Sequence, residues 1–258
     1  MKLSILLLAL LSGLASAATV TWTGASTGSP NYNEGSNWSS GSAPSAGDTI
    51  VFGDGLSLGS LDTPTSPNLS GSTVVLGNNS TVRIGENHGP SFSNVTPTTF
   101  TIGDGSTLFL KGGANLNGCT LNLNLNSSGK IQFGNPWSGT NGVNLNLTLS
   151  VDSSQTGMVT RELAYFTYST AGSATLDLSR LSLSLEGLTQ VDGVKDASIE
   201  NPSSLGSLNK GEYRLVVTKG SLDNSTKLWV QYMVPEPATA SLSLLGLGCL
   251  LWSRRRQG

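Results

Sequence analysis

Charge, aromatic rings, histidine and cysteine are all scarce in this sequence. Only 12% of the residues are charged and 6% aromatic, there is one histidine, and there are two cysteines. Two cysteines, Cys119 and Cys249, imply no disulfide framework. A single histidine, His88, leaves no Cys/His constellation of the kind zinc requires. The formal net charge is -2. Setting aside Lys2 and Arg254 to Arg256, in terminal segments, leaves 10 basic residues against 16 acidic ones. An acidic body argues against nucleic acid and anionic membrane surfaces as partners. What is abundant is Gly, at 32 residues, with Ser, Thr and Asn beside it. A hydrophobic fraction of 37% still permits a core, so the chain is not simply disordered. At 258 residues it has room for one or two domains. The composition suggests many short strands and tight turns.

The termini differ from the body. Lys2 precedes an apolar run from Leu3 to Leu14, and Ala15-Ser16-Ala17 supplies small residues. That order reads as a secretory signal peptide over 1–17, cut after Ala17 or Ala18. At the other end stands VPEP, then an uncharged stretch from Ala238 to Trp252, then Arg254, Arg255 and Arg256. Pro235 and Pro237 fix their own φ, and Pro237 pushes Glu236 toward extended backbone. The tripeptide is therefore held in a shape suited to a processing enzyme. As a hydrophobic helix the uncharged stretch is about 22 Å long, short of the roughly 30 Å hydrocarbon core. The arginines match the cytoplasmic side of an inner membrane.

Between the termini the sequence repeats. TVVLGNNSTVRIG (73–85) aligns with TFTIGDGSTLFLK (99–111), then with LNLNSSGKIQFG (123–134) and with the shorter TIVFGDGLSL (49–58). A fainter copy begins near Leu147. Val74, Leu76, Val82 and Ile84 occupy the same slots as Phe100, Ile102, Leu108 and Leu110. Each unit is two short strands with every second side chain apolar, joined by a Gly/Asn/Asp/Ser turn. One unit cannot bury its own apolar row, but stacked units can, which predicts a parallel β-solenoid over 49–157. A meander of hairpins in a sandwich is the alternative. Outward asparagines in LNLNLN (121–126) suit ladders between rungs. Residues 18–48, with Trp22 and Trp38, are expected to cap the open end. Residues 158–233 read as longer strands in a C-terminal antiparallel β region.

No catalytic group emerges from this pattern. GASTG (24–28) places Ser26 in a Gly-x-Ser-x-Gly frame, but no helix pattern follows and only His88 is available as a base. Asp54, Asn78 and Asp104 share one turn slot and would stack at about 4.8 Å per rung. Asp54 and Asp104, two rungs apart, would then approach the spacing of an inverting glycosidase pair. Asp and Asn are also ordinary turn formers. No calcium or nucleotide motif is present. For glycan stacking the candidates are Trp22, Tyr32, Trp38 and Trp137, with loop-borne Trp137 the favoured contact.

The tail resembles the sorting signal of bacterial PEP-CTERM proteins, in which Pro235-Glu236-Pro237, the apolar stretch and the arginine cluster follow in order. The resemblance implies processing by an exosortase, a Gram-negative host, and delivery to the cell surface or exopolysaccharide matrix. TWTG and the NW…GDTIVF stretch make the body similar to autotransporter-like β-solenoid proteins, without a translocator barrel. The expectation is an all-β, non-enzymatic structural or adhesive protein without cofactor or metal. It would be anchored by the hydrophobic helix of the C-terminal sorting signal (234–258) before processing and would have exopolysaccharide or another glycan as partner. A glycan-binding module and a polysaccharide-active enzyme are the competing classes.

Overall fold

A computed structural model describes residues 17–28, 30–85, 87–111, 116, 118–134, 143–151, 155–167, 180–185, 187–197, 202–219 and 226–234. Alternating side chains dictate the architecture. The strands are β1 (Thr19–Thr21), β2 (Thr49–Phe52), β3 (Ser57–Leu61), β4 (Thr73–Leu76), β5 (Thr81–Ile84), β6 (Thr98–Ile102), β7 (Thr107–Leu110), β8 (Thr120–Leu125), β9 (Lys130–Gly134), β10 (Asn144–Leu149), β11 (Gly157–Thr167), β12 (Leu181–Leu185), β13 (Thr189–Ala197), β14 (Glu212–Lys219) and β15 (Thr226–Val234). The first sheet runs β1-β2-β4-β6-β8-β10-β12, and the second β13-β14-β15-β11-β9-β7-β5-β3. Successive coils place one strand in each sheet, in parallel. The result is a β-solenoid of about five turns.

Register follows the repeat read from the sequence. Thr49 pairs with Thr73 and Thr73 with Thr99, while Val82 pairs with Leu108 and Leu108 with Ile131. The inward rows, such as Ile50, Val74, Phe100, Leu123 and Leu147, form one continuous core between the sheets. A one-residue slip would turn each row to solvent, so burial locks the register. Phe133 and Phe166 stack at 5.0 Å between ring centroids, 6° from parallel.

The open N-terminal end is plugged. Trp22 and Trp38 meet edge to face at 5.0 Å, Trp38 packs on Phe52 at 5.6 Å, and Tyr32 packs on Trp38 at 5.2 Å. The Trp38 indole N–H donates to the Tyr32 carbonyl at 2.8 Å. β1 pairs with β2 on that side, and the rings fill the interior before the first full coil.

The C-terminal region meets the antiparallel expectation only in part. β11 pairs with β9 in parallel, β12 with β10 in parallel, and β13 with β14 in parallel; β15 alone is reversed, between β11 and β14. Residues beyond 157 thus extend the same two sheets. Both edges of β15 need hydrogen-bond partners, which β11 and β14 supply. The expected C-terminal hydrophobic helix lies outside the described residues, and among those described no helix is long and apolar enough to cross a membrane.

Candidate functional site

The turn column suspected of catalysis is built for stacking. The Asn78 amide donates to Asp54 Oδ1 at 2.7 Å, and the Asp104 amide donates to Asn78 Oδ1 at 2.8 Å. Asp104 Oδ1 in turn accepts from Ser127 Oγ at 2.7 Å and from the Ser128 amide at 3.2 Å. Each side-chain oxygen therefore tethers the next coil. A parallel column does the same inside: Ser80 Oγ donates to the Gly53 carbonyl at 2.9 Å and accepts from the Leu56 amide at 3.0 Å, and Ser106 Oγ repeats this with the Gly77 carbonyl and the Ser80 amide. Turn atoms that would otherwise be buried and unpaired are satisfied between coils.

The column needs a terminus, and Arg161 provides it. Its guanidinium donates to the carbonyls of Asn126 and Gly129, the latter at 2.7 Å. Burial lowers its pKa to about 10, opposed by Tyr232 and Asp104. The group remains cationic at neutral pH.

Other sequence candidates are also structural. Ser26 is held in its loop by a hydrogen bond from its amide to Asn37 Oδ1 at 2.9 Å. His88 pairs with the neighbouring coil: its amide donates to Thr63 Oγ1 at 3.1 Å, and Nδ1 lies 2.9 Å from the Thr63 carbonyl oxygen. Tyr32, Trp22 and Trp38 are buried and offer no stacking platform. Burial, and then Asp48, push the Tyr32 phenol well above its ordinary pKa, and its oxygen is buried with no hydrogen-bond partner. Trp137, Pro235, Glu236, Pro237, Arg254, Arg255 and Arg256 lie outside the described residues. Ala17 is described and exposed. Among the described residues no group of three His, Cys, Asp or Glu is placed to hold a metal ion.

The two outer faces differ in chemistry. On the first sheet, Asn122 Nδ2 donates to Thr99 Oγ1 at 3.3 Å, Asn146 Nδ2 to Asn122 Oδ1 at 3.0 Å, and Ser182 Oγ to Asn146 Oδ1 at 2.8 Å. This is the polar ladder expected from the asparagine alternation, and its groups are spent on one another.

On the second sheet, strand pairing sets Arg83, Phe109, Gln132, Tyr165 and Lys227 side by side on β5, β7, β9, β11 and β15. All five side chains are partly exposed. Arg83 lies over the Phe109 ring at 4.4 Å, and Lys227 lies 5.1 Å from the centroid of Tyr165 and 5.9 Å from that of Trp229. Such exposed cation–π contacts contribute about 0.5–1 kcal/mol. Lys227 also pairs with Glu162 at 3.7 Å. Lys130 sits beside Gln132 on the same face, and Lys111 follows β7 next to Gly134.

Sequence reasoning passed over this row. Phe109 was legible, because alternation in TLFL turns it outward when Leu108 and Leu110 turn in. Tyr165 was not, because a bulge between Glu162 and Ala164 decides which β11 side chains face solvent. No family model, curated protein or solved structure matches this chain.

Proposed function

We propose that this chain is a secreted, surface-sorted structural or adhesive protein of a Gram-negative envelope or exopolysaccharide matrix. The observation that carries the reading is the commitment of polar side chains to coil-to-coil bonds. The Asp54–Asn78–Asp104 column, the Ser80–Ser106 column and the Thr99–Asn122–Asn146–Ser182 ladder all join neighbouring coils. Such a body is a stiff support with two broad faces. In this reading β12–β15 cap the C-terminal end of the stack. The two carboxylates that a glycosidase would need, Asp54 and Asp104, serve as tethers.

The sorting signal rests on sequence chemistry: extended Pro235-Glu236-Pro237, the short apolar stretch as inner-membrane helix, and Arg254 to Arg256 as membrane stop. An exosortase-type enzyme would cut near the tripeptide. Cleavage after Ala17 would keep the bonds of the residue that follows: the Ala18 amide donates to Asp48 Oδ1 at 2.9 Å, and the Ala18 carbonyl accepts from Thr49 at 2.8 Å. Mass spectrometry of surface-released protein is expected to find Ala18 at the N-terminus and no peptide from Leu242 to Trp252. Recovery of the intact tail from that fraction would refute processing.

A second reading, a glycan-binding module, is favoured by the cation–aromatic row on the second sheet.

A further inference from the structure

From that row we infer an anionic polysaccharide, one carrying carboxylates on its sugar rings, as the ligand of the outer face formed by β5, β7, β9, β11 and β15. The inference rests on the glycan-binding reading and names its site and ligand class. Three observations carry it.

The first is charge. The body is acidic, yet these strands bring Arg83, Lys130 and Lys227 to one outer face, with Lys111 just beyond β7 and Glu162 paired with Lys227. A local positive face on a negative body selects and steers polyanions.

The second is the rings. Phe109 and Tyr165 stand two strands apart, about 9.6 Å, with the amide of Gln132 between them, and Trp229 flanks Lys227 on β15. Sugar rings present C–H faces that pack on aromatic rings and hydroxyls that hydrogen-bond to an amide. A row running across the strands of a sheet fits an extended polymer better than a small molecule, which prefers a concave site.

The third is the coupling of ring and cation. Arg83 and Lys227 lie over the faces of Phe109, Tyr165 and Trp229, so a carboxylate drawn to either cation brings its sugar against the edge of a ring. Lys227 spans to Glu162 through a surface pair, a contact of small worth that a ligand carboxylate can replace.

The test uses full-length protein in mild detergent, with polygalacturonate as the anionic probe, dextran as the neutral one and duplex DNA as a polyanion without pyranose rings. Affinity electrophoresis is expected to show retardation by polygalacturonate and little by dextran or DNA. Raising salt from about 0.05 M to about 0.5 M should weaken it. The paired substitution Lys130→Gln/Lys227→Gln and the single Tyr165→Ala are each expected to weaken polygalacturonate binding by about tenfold or more, while Asn146→Ala on the other face leaves it unchanged. Thermal unfolding of each variant checks that the fold is intact, and the lysine pair, being at the surface, keeps the test valid if Tyr165→Ala unfolds. Equal retardation by dextran, tighter binding to DNA, unchanged binding in the folded lysine variant, or no binding to polygalacturonate would each overturn the inference. The surface fractionation above is independent of these results, so a failed ligand and a failed localisation can be told apart.

Discussion

Single glycines show how neighbouring coils constrain the chain. Gly53, Gly77 and Gly103 occupy one slot in three copies of the repeat and look interchangeable. A Cβ on Gly103 would lie 2.7 Å from Asn78 Oδ1 and 2.7 Å from the Gly77 carbonyl carbon, whereas one on Gly53 would meet nothing within 4 Å. Their φ angles are ordinary, so the reason is contact with the preceding coil. Two residues on, the reason is conformational: Gly55, Asn79 and Gly105 all have positive φ, at 69°, 53° and 66°. Gly103→Ala is expected to destabilise by about 1–3 kcal/mol, while Gly53→Ala should stay within about 0.5 kcal/mol of the parent. Urea titration of both variants checks this; equal losses would refute the packing argument.

At the scale of the element, a coil is complete only when the next coil answers its turn. The turn between β8 and β9 is answered by Arg161, which reaches from β11 to bond the carbonyls of Asn126 and Gly129. Arg161→Ala would remove the donor to the buried Gly129 carbonyl, while the Asn126 carbonyl keeps the Gly129 amide at 3.0 Å. A loss of about 1–3 kcal/mol is expected, with faster hydrogen exchange in the 126–130 turn than in the 78–81 turn. Uniform loss of protection along the solenoid would argue against a local cap. The strands themselves were legible: alternating apolar residues from Thr49 to Phe133 predicted the rungs, because inward rows must be buried. β13 escaped the sequence reading, since TQVDGVKDA (189–197) lacks a clean alternation, and its pairing with β14 is irregular between Gln190 and Val194. The aromatic row was half legible for the same kind of reason: β7 is regular and β11 is bulged.

For the whole molecule, the buried Tyr32 makes stability fall at alkaline pH. The Tyr32 phenol has its pKa raised above the ordinary 10.0 in the folded state, so folding holds a proton that the unfolded chain releases. Its contribution is complete below about pH 10 and is lost as pH rises beyond that, at about 1.4 kcal/mol per pH unit. Arg161 works in the opposite sense: its buried charge opposes folding below about pH 10, and that opposition lifts above it. Comparing Tyr32→Phe with the parent isolates the tyrosine. At pH 7 the variant should be as stable or up to about 2 kcal/mol more stable, because a buried hydroxyl without a partner is removed. Its advantage should widen from pH 9 to pH 11 by about 1.4 kcal/mol. A constant difference across that range would show that Tyr32 ionises freely in the folded protein.

By itself the sequence determined the class of fold, the coil length, the inward rows and the polar ladder. Local alternation and turn chemistry suffice for these, because each coil repeats the same problem. It also carried the chemistry of the two terminal segments, which depends on order along the chain. Only the tertiary structure decided the remaining assignments: that the Asp54–Asn78–Asp104 column tethers coils, that Trp22, Tyr32 and Trp38 plug an end, that Arg161 terminates the turn column, and that Phe109, Tyr165 and Lys227 share a face. Each of these depends on which residues far apart in the chain become neighbours when coils stack, and on a bulge that local periodicity cannot encode.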